Sequence, residues 1–219
     1  MVDAVIFDMD GLMFDSEPIW TDAWKLSFDR RGIELQPGMV ESFYGASRNR
    51  VLAEVSRRYN QDPNAIGAAE DHYVIAKQQL LNEGAPMKKG LLELLAFLRS
   101  HRVPSAVATS SARPIANAML LHAGVEHEFD AIVTGDDGLP SKPAPDIFLA
   151  AAKLLGTEPS RSVVLEDSEN GIMATAAGGF VSVVVPDIVP PSDWVRSLSD
   201  YCCENLLEVR DLLEHGKLG

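Results

Sequence analysis

The chain has 219 residues, 46% of them hydrophobic and 23% charged, enough to bury a core without disulfides or a structural metal. Lys and Arg total 19 against 32 Asp and Glu, a net charge of −13, which argues against a nucleic-acid backbone or an anionic membrane as main partner, because both need a basic surface. The only cysteines, Cys202 and Cys203, are adjacent, so they cannot staple a fold, and no Cys/His spacing suits zinc. The apolar run after Met1 is too short for a signal peptide, and no stretch approaches the roughly 20 apolar residues of a membrane span. A soluble cytoplasmic monomer is the expectation.

The first strand is expected at Ala4 to Phe7 and runs into Asp8-Met9-Asp10-Gly11. Residues 17 to 85 then hold no strand-like run. Trp20, Trp24 and Phe28 recur every four residues on one helix face. Val51, Leu52 and Val55 suggest a second helix, and Ile75, Leu80 and Leu81 a third. Pro-containing segments at Phe14 to Pro18 and Gly84 to Gly90 mark the ends of this insertion, so the core is expected at 1–16 and 86–219 and a helical domain at 17–85. Beyond it, helices are expected at Gly90 to Ser100, Arg113 to His122, Pro145 to Leu155 and Asn170 to Ala177, the last stopped by Gly178-Gly179. They alternate with strands at Ser105 to Ala108, Ala131 to Thr134, Ser162 to Leu165 and Val181 to Val185. These runs are continuously apolar rather than alternating, which suits central strands buried on both faces of a parallel sheet. The expected fold is α/β, a doubly wound parallel sheet.

Ligands of open parallel sheets sit beyond the carboxyl ends of the strands. There this chain places Asp8 and Asp10 after the first strand, Thr109-Ser110-Ser111 after the second, Lys142 in a loop after the third, and Glu166-Asp167-Ser168 after the fourth. Each has an ordinary reading alone. Asp-x-Asp is often a solvated turn, Thr-Ser-Ser a helix start, Lys142 a surface charge and Asp167 a helix cap. Jointly they are the groups phosphate chemistry uses. A hard cation such as Mg²⁺ takes oxygen ligands and keeps several waters, so Asp8, Asp167 and a carbonyl of the first loop could hold it. Lys142 supplies a second positive charge. The Thr109 hydroxyl and amides near Ser110 could take phosphate oxygens at a helix N-terminus. An Asp carboxylate is a competent phosphoryl nucleophile, and a carboxyl two residues on can act as general acid and then base.

Asp8-Met9-Asp10-Gly11-Leu12, Thr109-Ser110-Ser111, Lys142-Pro143-Ala144-Pro145-Asp146 and Leu165-Glu166-Asp167-Ser168 resemble, in order and spacing, the four signature motifs of the haloacid dehalogenase superfamily. Phe14-Asp15-Ser16-Glu17-Pro18 and the insertion after it resemble the branch with β-phosphoglucomutase, phosphoglycolate phosphatase and sugar-phosphate phosphatases. The resemblance implies a Rossmann-like core with strand order 5-4-1-2-3 and a small helical cap that closes over the substrate. It implies that Asp8 forms an aspartyl-phosphate, that Asp10 protonates the leaving oxygen and then activates water, and that Thr109 and Lys142 bind the phosphoryl group. It places Mg²⁺ on the Asp8 side chain, the Asp10 carbonyl and Asp167, with Glu166 holding metal-bound water. Gly11, Ser110 and Ser111 are the expected phosphate-side contacts, with Arg48 and Trp20 as candidate substrate contacts from the cap.

Metal-free dehalogenases of the superfamily have no carboxylate at the second motif position, so Asp10 favours phosphoryl chemistry. In β-phosphoglucomutases a cap histidine gates the reaction, and the matching residue here is Trp20. The expected activity is therefore a Mg²⁺-dependent phosphatase acting on a small phosphorylated metabolite, a sugar phosphate above others. The alternative is a β-phosphoglucomutase-like mutase. Trp20 can also be read as cap core and Arg48 as a surface arginine. Asp136-Asp137 reads as a loop pair, with a role beside the metal as the lesser reading. His122 and His127 read as surface imidazoles, and the two cysteines as partly buried small residues.

Overall fold

In the computed structural model, which describes residues 2–43, 48–188 and 190–218 without the side chains of Arg48 and Asn49, the apolar run Ala4–Phe7 forms β1 with all four residues buried. The chain then divides into two units, Met1–Asp15 with Ala85–Gly219, and Ser16–Gly84.

The Ser16–Gly84 unit is built from α1 (Glu17–Arg30), α2 (Arg48–Arg58) and α3 (Pro63–Glu83), with a short 3-10 turn at Glu41–Phe43. Asp62 caps α3 by accepting from the Asn64 N–H at 2.9 Å, and Pro63 opens the helix without losing a bond. The core of this unit gathers Trp24, Phe28, Met39, Val40, Phe43, Val51 and Val55 against Ala65, Ala68 and Ala69. The third expected helix is α3, and of the three residues that suggested it only Leu80 joins its buried stripe. That stripe consists of Ala65, Ala68, Ala69, His72, Ala76 and Leu80, whereas Ile75 and Leu81 are only partly buried. Alanines let α1 approach closely with its bulky rings, so the large residues of the pair come from α1.

In the other unit, α4 (Leu91–His101), β2 (Ser105–Ala108), α5 (Arg113–Ala123), β3 (Ala131–Val133), α6 (Asp146–Leu155), β4 (Ser162–Glu166), α7 (Glu169–Gly178) and β5 (Val181–Val184) follow the expected alternation. β4 runs one residue further than expected and contains Glu166. Then come α8 (Asp193–Leu198), β6 (Tyr201–Cys202) and α9 (Leu206–Glu214). The strands form one parallel sheet in the order β3-β2-β1-β4-β5-β6, the expected order read from its other edge with one strand added. β6 has no apolar run of its own. It exists because Tyr201 and Cys202 pair with Val183 and Val184, while the Asp200 carboxylate accepts from the Ser182 N–H at 2.8 Å. Within β6 Cys202 is exposed, and only Cys203 is buried.

One face of the sheet is covered by α6. Its Ile147, Phe148, Ala151 and Ala152 pack on Ile6, Ala106, Ala108, Val133 and Val164, with Phe180 closing the cluster. Burying those apolar groups is the main force that holds the strands in register. Register in turn places the site. Phe7 pairs with both Val107 and Leu165, so Asp8, Thr109 and Glu166 emerge together at the carboxyl edge. The ladder continues one step into the loops, where the Asp8 N–H donates to Leu165 and the Thr109 N–H to Val133, each at 3.0 Å.

Candidate active site

Lys142 organises the sheet edge. Its side chain is 7% exposed, and its ammonium donates to Asp8 Oδ1, to Glu166 Oε1 at 2.7 Å and to the Ala108 carbonyl at 3.3 Å. It also lies 4.6 Å over the Phe148 ring, a cation–π contact that a desolvated ammonium favours. Burial alone would lower its pKa, but Asp8 and Glu166 outweigh that and hold the ammonium above the ordinary lysine range.

Glu166 is fully buried. One oxygen takes the Lys142 bond; the other accepts from the Ser168 N–H at 2.8 Å and the Ser168 hydroxyl at 2.9 Å. These hydrogen bonds make Glu166 a support for Lys142 and for the turn into α7. Ser168, and Gly171, which the sequence reading did not single out, make that possible. Ser168, rather than Asp167, caps α7 by accepting from the Gly171 N–H at 3.1 Å. At Gly171 a Cβ would lie 1.7 Å from Glu166 Oε1. A glycine in the first turn of a helix costs about 1 kcal/mol against alanine, and that local misfit was the available sequence signal for it.

Asp8 is 7% exposed and pushed up to about 7 from an ordinary value of 3.8. Burial raises it, Lys142 opposes, and Glu166 and Asp10 raise it further. Asp167 is likewise raised well above the ordinary range by burial and then by Glu166 and Asp8. Asp10 is partly exposed, and its Oδ2 accepts from the Ser111 hydroxyl at 2.7 Å and from the Thr109 hydroxyl at 3.5 Å. Thr109 Oγ1 itself accepts from the Ser111 N–H at 3.0 Å. Thus Ser111 makes the short bond to Asp10, and Thr109 shapes the turn. Ser110 is exposed beside them. α5 begins at Arg113, as expected, and the Arg113 N–H donates to Asp136 at 2.8 Å. Asp137 pairs with the Arg113 guanidinium at 2.7 Å and boxes the Thr134 turn. The Asp136-Asp137 pair thereby ties the β3 loop to α5.

Gly11 is required by this crowding. It has φ +81°, and a Cβ there would stand 2.3 Å from Asp167 Oδ2. Asp8, Asp10, Gly11, Thr109, Ser111, Lys142, Glu166 and Asp167 are therefore gathered at one edge. Trp20 belongs to the helical unit, half-buried with its ring 5.6 Å from Tyr73 and 6.2 Å from His72. The buried His72 ring stacks at 3.7 Å on Trp24, so Trp24 is core. The side chain of Arg48, at the head of α2, lies outside the described residues, as do residues 45–47.

The donor set suits a hard divalent cation. Four carboxylates lie at this edge with Lys142, and two of them, Asp8 and Asp167, are pushed up first by burial and then by neighbouring carboxylates. Among the described residues no three carboxylate, imidazole or thiolate groups converge on one metal-sized point. Magnesium asks for less, one or two carboxylates with water and substrate oxygens completing its shell.

The haloacid dehalogenase-like hydrolase family matches residues 2–179. The fructose-1-phosphate phosphatase YqaB of Escherichia coli (strain K12) is 35% identical over 181 residues, covering 83% of this chain and 95% of that protein. Hexitol phosphatase B of the same strain is 29% identical and covers 96% of both chains. The crystal structure of a hydrolase of this family from Deinococcus radiodurans R1, with bound phosphate and sodium, superposes with a TM-score of 0.79 at 28% identity, covering 99% of this chain and 97% of that one.

Proposed function

The chain belongs to the haloacid dehalogenase-like hydrolase family, and we propose that it is a phosphatase that hydrolyses a small sugar phosphate through an aspartyl-phosphate on Asp8. The observation that carries this reading is the Lys142 ammonium bridging Asp8 and Glu166 at the strand ends, with a second carboxyl, Asp10, two residues on. Relatives named for fructose 1-phosphate and hexitol phosphates support the substrate class.

In this reading an Asp8 carboxylate oxygen attacks phosphorus while the bond from phosphorus to the sugar oxygen breaks. Asp10, held by Ser111, gives its proton to the departing oxygen. The resulting Asp10 carboxylate takes a proton from water, whose oxygen attacks phosphorus, releases phosphate and restores Asp8. Lys142 neutralises phosphoryl oxygens and keeps Asp8 oriented, and Glu166 keeps Lys142 in place. Asp8, the Asp10 carbonyl and Asp167 would hold Mg²⁺, which when bound supplies charge neutralisation for the phosphate dianion. The unit Met1–Asp15 with Ala85–Gly219 is the catalytic core in this proposal, and the helical unit is a cap that sets substrate choice, with Trp20 and Arg48 as the first residues to vary. The enzyme works as a cytoplasmic monomer. Among the described residues no helix is long and apolar enough to cross a membrane, and both cysteines are free.

The test is phosphate release from a panel of hexose, pentose and hexitol phosphates, with Mg²⁺ or with EDTA. Metal-dependent release from a few members is expected, and Asp8→Asn is expected to lower it by about 10⁴-fold or more while the protein stays folded. Full activity of a folded Asp8→Asn protein would sink the nucleophile assignment. Conversion of β-glucose 1-phosphate to glucose 6-phosphate without free phosphate would replace hydrolysis by the mutase reaction.

A further inference from the structure

A second lysine stands at the same sheet edge, outside the four motifs. Lys88 lies on the return connection into the sheet unit. Its N–H donates to the Met13 carbonyl at 2.8 Å, the Asp15 N–H donates to the Pro86 carbonyl at 2.8 Å, and Phe14 bridges Met87 in antiparallel sense. A short two-stranded strap thus follows directly on the Asp10-Gly11 loop. From it the Lys88 ammonium reaches Asp187 Oδ1, just past β5; the two side chains are 26% and 10% exposed. The other Asp187 oxygen, Oδ2, lies 3.3 Å from the point a Cβ on Gly11 would occupy, and Asp167 Oδ2 lies 2.3 Å from that same point. Asp187 is therefore a neighbour of Asp167 across Gly11, and Lys88 is its counter-ion. Neither residue contacts the reacting groups in the mechanism above.

We propose that Lys88 and Asp187 are a charge-setting positioning pair for the phosphatase site, dividing its affinity between cation and phosphate ester; the inference rests on the reading given under Proposed function. With both partners present the pair adds no net charge beside Asp167. Without Lys88, Asp187 becomes one more uncompensated carboxylate, which strengthens cation binding and repels a phosphate dianion. Without Asp187, the freed ammonium does the opposite. A pair that merely braced the loop would weaken both ligands in both variants.

The experiment measures Mg²⁺ binding directly, by isothermal titration without substrate, alongside KM and kcat for the best panel substrate. Lys88→Met is expected to tighten Mg²⁺ binding roughly 3- to 10-fold and to raise KM by a similar factor, with the effects shrinking in high salt. Asp187→Asn is expected to shift both quantities the other way. The double variant is expected to return to within about 2-fold of the parent, and Lys88→Arg, which keeps the charge, is expected to resemble the parent. Single variants that move Mg²⁺ affinity in the same direction, or a double variant that shows no recovery, would overturn the proposal. An unsubstituted protein that neither binds Mg²⁺ nor releases phosphate would fail earlier, overturning the phosphatase reading and the pair's role with it.

Discussion

Asp8, with a folded-state value of about 7 against an ordinary 3.8, makes the metal-free protein sensitive to pH in an unusual window. Its folded value is the higher one, so between about pH 4 and 7 the folded chain binds more protons than the unfolded chain. The associated stability is fully present at low pH and is lost as pH rises through 7. Melting in EDTA is therefore expected at lower temperature at pH 8 than at pH 5.5, with Mg²⁺ removing most of the difference. Asp167, raised by burial and then by Glu166 and Asp8, carries the companion expectation. Asp167→Asn should raise the metal-free melting temperature at pH 8 by about 2–4 °C, or roughly 1 kcal/mol, while abolishing Mg²⁺ stabilisation. A metal-free melting temperature unchanged by pH in the parent would contradict this account of buried, crowded carboxyls. Glu54 shows the opposite case: hydrogen bonds from Arg57 and Arg58 lower it to about 2, so its contribution is present above pH 4.5 and lost as pH falls towards 2. Gly171→Ala is a sharper test of the site's packing. On a free helix that change gains about 1 kcal/mol. Here the new methyl would overlap the buried Glu166 carboxylate, so a loss of about 2–3 kcal/mol is expected in denaturant melts. Turnover should fall too, because Lys142 would lose its support.

Helix ends show where local and tertiary demands part. α5, α6 and α7 end on Gly124, Gly156 and Gly179, all left-handed, whereas α4 ends on Arg102 with φ +56° and ψ +37°. A residue with a Cβ is strained in that conformation and glycine is not. Arg102→Gly is expected to stabilise by about 1 kcal/mol, raising the melting temperature by about 2–4 °C. A decrease would mean that the arginine side chain does more for the fold than its backbone costs. Among the elements, β1 to β5 and α4 to α7 were legible because strands buried on both faces must be continuously apolar. β6 was not, since Tyr201 and Cys202 carry no such run and become a strand only beside β5. The helix expected from Ile75, Leu80 and Leu81 is α3, but most of its buried face was not legible from them. Large apolar residues draw attention, yet close helix packing here uses alanine, and Ile75 stays partly exposed.

At the scale of the molecule, two cores are built from one chain. The helical unit has its own cluster around Trp24 and Phe28, and the sheet unit has another around Phe148. The Asp15 N–H donates to the Pro86 carbonyl at 2.8 Å, so the ends of the sheet unit's two segments already meet. Replacing Ser16–Gly84 by a short Gly/Ser linker is therefore expected to leave a protein that melts cooperatively with the far-UV signature of a parallel α/β sheet. Loss of cooperative melting would show that the sheet unit depends on the helical one.

The sequence by itself determined the parallel sheet, the helical insertion and the edge at which Asp8, Asp10, Thr109, Lys142 and Asp167 gather. Apolar runs set the strands, and a parallel ladder carries the residues after them to the same end. What only the tertiary structure decided is which partner each polar group takes. Ser111 rather than Thr109 makes the short bond to Asp10, Ser168 rather than Asp167 caps α7, and Glu166 spends its oxygens on Lys142 and Ser168. Those choices depend on loop geometry at the scale of a single hydrogen bond, between residues such as Asp10 and Ser111 that stand 101 positions apart. Hydrogen bonds discriminate over a few tenths of an ångström, and no local pattern in a chain encodes a distance that small across a separation that large.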